Sequence, residues 1–311
     1  MDQNRRQFLF GAASLALSRR AAGAGPVRQK NGTRLILLGT KGGPSLSDSR
    51  KNPATLLLIN ETPYLVDCAY GASRQLKAAG VSANELRYIF ITHHHSDHNL
   101  DYGAVIYNAW ATGRPVQIDA YGPPGLEGIT RAFWEYSRFD IDTRIEDEGR
   151  PDLRKLVSVH EFSKPGVILQ NDDVKVTSTL VRHPPIKQAY AYRFDARDRS
   201  IVISGDTTYA PELADLARGA DVLVHEVMYL PGVETLLKRV PNAARLREHL
   251  MASHTTTEEV GKVAARAGVK TLVLSHFVPG DEPSITDNQW ADGVRKHFNG
   301  RIIVGKDLME I

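Results

Sequence analysis

The sequence predicts an α/β (α+β) fold: two facing β-sheets covered on their outer sides by helices, a four-layer αββα sandwich in a single domain. Three observations lead there. Short runs rich in Leu, Ile, Val and aromatic residues recur in two groups, one in each half of the chain, and each run is closed by Gly, Pro, Asn or Asp. Segments with helical spacing of apolar residues lie between and after these runs. The 311 residues are 42% hydrophobic, enough for a sizeable buried core.

Residues 1–24 differ in kind from the rest. Arg5 and Arg6 precede an apolar stretch from Phe8 to Leu17, and small residues lead to Ala24 ahead of Pro26. The pattern resembles a twin-arginine export signal, (Ser/Thr)RRxFLK, with Asn4 in its first place and Phe10 in its last. The apolar stretch is far shorter than the roughly 20 residues that span a bilayer. The expectation is therefore a periplasmic or otherwise exported protein, cleaved after Ala24, with no membrane span when mature. Residues 25–32 read as a linker and 33–311 as the domain.

In the first half, TRLILLG (33–39), ATLLLIN (54–60) and PYLVD (63–67) read as an antiparallel meander. GASRQLKAAG (71–80) reads as a helix with Leu76 and Ala79 on one face and Gly80 at its stop, YIFIT (88–92) as a strand, and DYGAVIYNAWATG (101–113) as a second helix. In the second half, VKVTSTLV, AYAYRFD, SIVISGD, DVLVHEV and TLVLSH read as strands, with helices at APELADLARG and TTTEEVGKVAARAG. Thr255 or Thr256 with a glutamate three residues on makes a capping box for the latter. The stretch 122–165 reads as an insertion with its own helix. Its Phe133, Trp134, Tyr136 and Phe139 suit a cover over the site mouth, a homodimer contact, or a helix packing its apolar face on the domain.

Chemistry concentrates in ITHHHSDHNL, residues 91–100. Alternation along the strand end puts His93 and His95 on one side and His94 on the other, while Asp97 and His98 come from the turn into the next helix. His183, Asp206 and His276 each close another hydrophobic strand. With Cys68 the single cysteine, no disulfide or Cys-rich zinc knuckle can form, so any metal is held by imidazole and carboxylate. Those donors suit Zn²⁺, with Fe or Mn as alternatives.

HxHxDH followed by later His, Asp and His resembles the metallo-β-lactamase fold superfamily. That resemblance implies that His93, His95 and His183 hold one Zn²⁺, that Asp97, His98 and His276 hold a second, and that Asp206 bridges them. Asp67, in YLVDCAYG, matches the superfamily's supporting aspartate. YGPPGL (121–126), LVHEV (223–227) and SHTTTEEVGKVAARAGVKTLVLSHF (253–277) are similar to the ribonuclease Z and arylsulfatase branch. In ribonuclease Z a glutamate of a HEAT stretch orients a histidine of a HST stretch. Glu226 and His254 match them, although HEVM departs from HEAT in its last two positions. This implies that His254 is an acid–base residue held by Glu226, with Asp97 beside them in the catalytic set. His160, His225, His249 and His297 make no equal claim and read as structural or surface residues.

The chain carries a net charge of +3 with acidic and basic residues interleaved, and residues 121–165 hold nine acidic and seven basic side chains. This makes a poor clamp for a polyanion, so the reading argues against nucleic acid and for a small-molecule substrate. The expected activity is hydrolysis of an aryl or alkyl sulfate, a phosphodiester or a lactone. The alternatives are hydrolytic dehalogenation, ribonuclease Z-like phosphodiester cleavage, iron-dependent redox chemistry, and a non-catalytic zinc protein.

Overall fold

The computed structural model describes residues 32–113 and 117–311; residues 1–24, read as an export signal, and all but Gly32 of the stretch read as a linker lie outside the described residues. The first half runs β1 Thr33–Gly39, β2 Ala54–Ile59, β3 Thr62–Val66, α1 Ala72–Ala78, β4 Tyr88–Phe90, α2 Ser96–Asn99, α3 Tyr102–Ala111, β5 Ile118–Gly122, α4 Leu126–Glu148 and β6 Val157–Glu161. The second runs β7 Gly166–Gln170, β8 Val174–Leu180, β9 Tyr190–Ala196, β10 Ser200–Ile203, α5 Pro211–Leu216, β11 Val222–Met228, α6 Leu230–Arg239, α7 Leu246–Ser253, α8 Thr257–Ala267, β12 Thr271–Val278, α9 Asp287–Arg295, β13 Arg301–Val304 and β14 Met309–Glu310.

Among the described residues these strands make two seven-stranded mixed sheets, ordered β14-β1-β2-β3-β4-β5-β6 and β13-β12-β11-β10-β9-β8-β7. β1, β2 and β3 form the antiparallel meander read from the sequence. The strands read as continuous apolar runs because both of their faces are buried. Leu35, Leu37, Leu57 and Ile59 pack between the sheets with Phe90, Tyr192, Phe194, Ile201, Val224 and Val273. Their sequence neighbours Ile36, Leu38, Leu56 and Leu58 point outward to pack with Leu76, Val105, Ile106 and Trp110. On the other side Val202, Leu223, Leu272 and Leu274 pack with Leu213, Val260, Val263 and Trp290. Two-residue alternation on doubly buried strands thus yields the αββα sandwich.

The box that starts α8 uses Thr256: its hydroxyl accepts from Glu259 N while Glu259 accepts from Thr256 N. Residues 122–165 contain the long helix α4 and then β6, which pairs in parallel with β5 from Ile118↔Val157 to Gly122↔Glu161. β7 follows at the edge of the other sheet, so the chain changes sheets here. Phe133 of α4 lies against Gly103 of α3, where a Cβ would meet the ring, whereas Tyr136 and Phe139 are exposed. No helix among the described residues is long and apolar enough to cross a membrane.

Candidate metal centre

The site lies where strand ends meet. β8 and β10 are both antiparallel to β9, so they run the same way, and β10, β11 and β12 are parallel. Their carboxyl ends therefore share one edge, the usual crevice of such sheets. His183 follows β8, Asp206 follows β10, and Glu226 and His276 lie on β11 and β12. The first sheet brings Asp67 after β3 and the histidine segment after β4. Tyr190 N donates to Thr92 O at 3.0 Å and Phe277 N to Thr40 O at 2.8 Å, joining the two sheets beside the site.

Two groups of donors converge. Nε2 of His93 and Nε2 of His183 lie 3.1 and 3.0 Å from Nδ1 of His95, with Asp206 Oδ2 at 4.0 and 3.9 Å from the first two. Nε2 of His98 and Nε2 of His276 lie 3.3 Å apart, each close to Asp97 Oδ2 (3.6 and 3.4 Å) and to Asp206 Oδ1 (3.3 and 3.2 Å). Within each group the ligand atoms all lie within 4.8 Å of one another. A tetrahedral zinc with bonds of about 2.1 Å separates its donors by about 3.4 Å, so the spacing fits a metal in each group. Asp206 faces both groups, one oxygen to each. Its Oδ1 is buried without an aligned hydrogen-bond donor, as an oxygen reserved for a cation would be.

Electrostatics agree with that fit. Burial disfavours the imidazolium form of His93, His95 and His183, the last brought down to about 4, and a metal takes the neutral ring. Burial also opposes charge on Asp97 and Asp206, yet the surrounding histidines hold both carboxyls well below their ordinary range. At His98 burial is outweighed by Asp206, Asp67 and Asp97, which raise its pKa. Three buried carboxylates around one ring form a strong sink for positive charge.

Outer partners orient the donors. His93 Nδ1 lies 3.1 Å from Thr92 Oγ1, His98 Nδ1 2.8 Å from Asp67 Oδ2, and His183 Nδ1 2.9 Å from Ser253 O. Asp67 also accepts from Thr92 N at 2.8 Å. Gly43 N donates to Asp97 Oδ2 at 2.9 Å from a loop that sequence reasoning missed, in which the Lys41 ammonium is buried on the carbonyls of Gly42 and Gly43. His276 is aimed by a β-bulge: Glu226 pairs with Ser275 and Val227 with Phe277, leaving His276 as the extra residue at φ 44°.

Beside the second group stands a buried pair. His254 Nδ1 lies 3.2 Å from each oxygen of Glu226, whose Oε1 also accepts from Thr207 N (3.0 Å) and Thr255 N (3.2 Å). Burial lowers the His254 pKa, but Glu226, then Asp206 and Asp97, carry it up to about 9. Burial raises the Glu226 pKa. The His254 ring stacks on His276 with centroids 5.7 Å apart.

The model of the family described as "Anti-Pycsar protein Apyc1" matches residues 33–277. A ribonuclease Z of Mycobacterium bovis (strain BCG / Pasteur 1173P2) is 32% identical over 280 residues, 89% of this chain and 97% of the relative. That of Mycobacterium avium (strain 104) is 34% identical with the same coverage. The chain belongs to the Apyc1 and ribonuclease Z family of metal-dependent hydrolases. The structure of human tRNase Z, short form, superposes with a TM-score of 0.66 at 20% identity, covering 89% of this chain and 98% of that one. The metallo-β-lactamase fold protein YhfI of Bacillus subtilis gives a TM-score of 0.65 at 19% identity, covering 90% and 98%. Both share the fold.

All seven residues read as ligands in the sequence fall into the two donor groups of this family member, and Glu226 and His254 stand together beside them. One reading needs correction, and one residue stands nearer the site than its sequence context suggested. The argument against nucleic acid rested on the acidic balance of 121–165, yet relatives matched over 97% of their length are named as ribonucleases. His249, read as structural or surface, lies with its ring centroid 6.0 Å from those of His95, His183 and His254. Its signal was its place in HLMASH, four residues before Ser253 on a helix and so on the same face. His94 turns away as read, to Pro123 O and Asn99, and His160 pairs with Asp119.

Proposed function

We propose that this chain is a binuclear zinc-dependent phosphodiesterase acting on nucleotide phosphodiesters, RNA among them. One observation carries the reading: two donor groups share the two oxygens of Asp206, with the His254–Glu226 pair against the second group. The family relatives named ribonuclease Z favour a phosphodiester over the sulfate ester or lactone that the sequence also allowed. Imidazole and carboxylate donors suit zinc. Two such cations, when bound, neutralise phosphoryl oxygens and lower the pKa of a water.

The chain's own residues do the rest. Asp67, Thr92 and Ser253 fix which nitrogen His98, His93 and His183 present. Gly43 N–H fixes the rotation of Asp97. Glu226 holds His254 by Nδ1, which leaves Nε2 to give its proton to the departing ester oxygen.

The test is zinc-loaded protein assayed on bis(p-nitrophenyl) phosphate, p-nitrophenyl sulfate, a lactone panel and a short RNA, with metal content measured on the same sample. Two zinc ions per chain and chelator-sensitive phosphodiester hydrolysis, at least about 100-fold above sulfate hydrolysis, are the expected result. Cleavage of the sulfate or a lactone without any phosphodiester overturns it. Export is proposed from the sequence pattern of residues 1–24 alone. Lys at both Arg5 and Arg6 should block delivery to the periplasm, because the pair is read by a receptor rather than as charge; continued export of that variant refutes the twin-arginine route.

A further inference from the structure

Lys41 is carried into the interior of the fold, with only 2% of its surface exposed. A lysine is almost never buried so completely without partners. Its stem packs against Gly280, where a Cβ would come within 2.9 Å of Lys41 Cγ. Its nitrogen bends back onto its own turn and donates to Gly42 O at 2.9 Å and to Gly43 O at 3.3 Å. A carbonyl oxygen only accepts, so both bonds run from the lysine whatever its charge.

Backbone pairing holds this turn up to one point. Phe277 N donates to Thr40 O at 2.8 Å, Lys41 N to Lys51 O at 2.8 Å and Gly42 N to Phe277 O at 3.0 Å. The peptide group that joins Gly42 to Gly43 has no backbone partner among the described residues. Its carbonyl oxygen faces Lys41, and its N–H donates to Asp97 Oδ2 at 2.9 Å. Both flanking glycines answer to the geometry: a Cβ on Gly42 would meet the His276 ring at 2.7 Å, and Gly43 sits at φ 80°. A peptide between two glycines is also the one that turns over most easily. Turned over, it would aim its oxygen at the Asp97 carboxylate in place of the N–H.

Resting on the two-metal reading, we propose that Lys41 is a positioning residue for the second metal: by holding Gly42 O it locks the Gly42–Gly43 peptide with its N–H on Asp97. Lys41 and Asp97 grip opposite ends of one peptide group, so each hydrogen bond strengthens the other. The bond falls on Oδ2, the oxygen that also faces Nε2 of His98 and of His276 at 3.6 and 3.4 Å. Asp97 belongs to the second donor group alone, so the effect is confined to one of the two sites. Asn52 Nδ2 steadies the next carbonyls, Gly43 O at 2.8 Å and Ser45 O at 3.2 Å, so the turn keeps part of its hold when Lys41 is changed. A direct outer partner of a metal ligand is worth about 10–100-fold in metal affinity; Lys41 acts one step further out, which sets the expectation at about tenfold.

The experiment compares wild type, Lys41→Met, Lys41→Gln, Asp97→Ala and the double variant Lys41→Met/Asp97→Ala. Methionine fills the space without a donor, and glutamine keeps a donor on a shorter chain. Zinc affinities are measured by calorimetry against a competing chelator. Amide hydrogen exchange of the zinc-free proteins is read by NMR at Gly43, with the amides of Gly42 and Phe277 as internal controls. In Lys41→Met one zinc should bind about tenfold more weakly and the other as in wild type. The Gly43 amide should exchange about tenfold faster while the two control amides keep their protection. Lys41→Gln should recover part of both effects, and it carries the comparison if Lys41→Met fails to fold. In the Asp97→Ala background Lys41→Met should cost nothing further, because it acts through that carboxylate. The proposal is overturned by a Gly43 amide that exchanges in wild type as fast as a free peptide, or no faster in the variants than in wild type. Equal losses at both zinc sites, or an additive loss in the double variant, overturn it as well. Fewer than two zinc ions in wild type overturns the two-metal reading instead, and the Gly43 amide then still decides the role of Lys41.

Discussion

Replacing Glu226 by Gln removes a charge while keeping a buried shape. The side chain is 1% exposed, and its Oε1 accepts from Thr207 N and Thr255 N while both oxygens face His254 Nδ1 at 3.2 Å. A glutamine can keep its carbonyl on the two backbone donors, which turns its NH₂ toward His254. That group only donates, so Nδ1 must shed its proton. Burial already works against the imidazolium, and Glu226 is the largest of the influences that hold its pKa near 9. The variant therefore folds but lacks a charged acid. A positioned acid contributes roughly 10²–10⁴ in rate, or about 3–5 kcal/mol of barrier. His254→Ala should lose that whole factor, Glu226→Gln less, and the double variant little more than His254→Ala, since residues acting as one unit are non-additive. The assay uses zinc-loaded proteins on two phosphodiesters with nitrophenyl and alkyl leaving groups; the loss should shrink on the nitrophenyl ester, whose leaving group departs without a proton. Additive losses refute the pairing. Loss of zinc from His254→Ala refutes the acid role, because ligand atoms of Glu226, His254 and His276 lie within 4.8 Å and would then be a metal site.

Asp206→Ala should release metal from both groups at once, read as zinc per chain falling below one by elemental analysis, because one oxygen serves each group. Gly42→Ala would put a Cβ 2.7 Å from His276 Nδ1 and from Val278 Cγ2, so activity should fall more than about tenfold and stability by about 1–3 kcal/mol, measured by kinetics and urea unfolding. Asp221 is held at about 2 against an ordinary 3.8, first by Lys270 and then by Ser200 N and its hydroxyl. A depressed carboxyl pKa stabilises fully above 3.8 and loses its effect as pH falls through 2. With the side chain 31% exposed, screening reduces the contribution to about 1 kcal/mol. Asp221→Asn should therefore lower the urea midpoint at pH 7, and the gap to wild type should close between about pH 4 and pH 2.

Much of the site was legible because its residues close hydrophobic strands. His93, His95, Asp97 and His98 share one short segment, and His183, Asp206 and His276 each end an apolar run. The elements that escaped were weakly patterned. β6 and β7 are short edge strands of intermediate and exposed residues, so they show little apolar alternation. α7 carries polar and charged residues around most of its circumference, with only Leu250 and Ser253 buried. α9 begins with a Thr286–Gln289 capping box, a signal that was there to be read.

By itself the sequence determined the alternation of apolar residues on doubly buried strands, hence the layered fold, and the chemical types of the donors at the strand ends. Both are written in neighbouring residues. The tertiary structure alone decided which nitrogen each histidine presents, that Asp206 offers one oxygen to each donor group, that Gly43 steadies Asp97 from 54 residues away, and that the His249 ring stands 6.0 Å from those of His95 and His183. The physical reason is that these depend on the direction of hydrogen bonds between segments far apart in the chain. His183 takes its tautomer from Ser253, 70 residues on, and only the packing of α7 across the carboxyl ends of the second sheet brings the two within 2.9 Å.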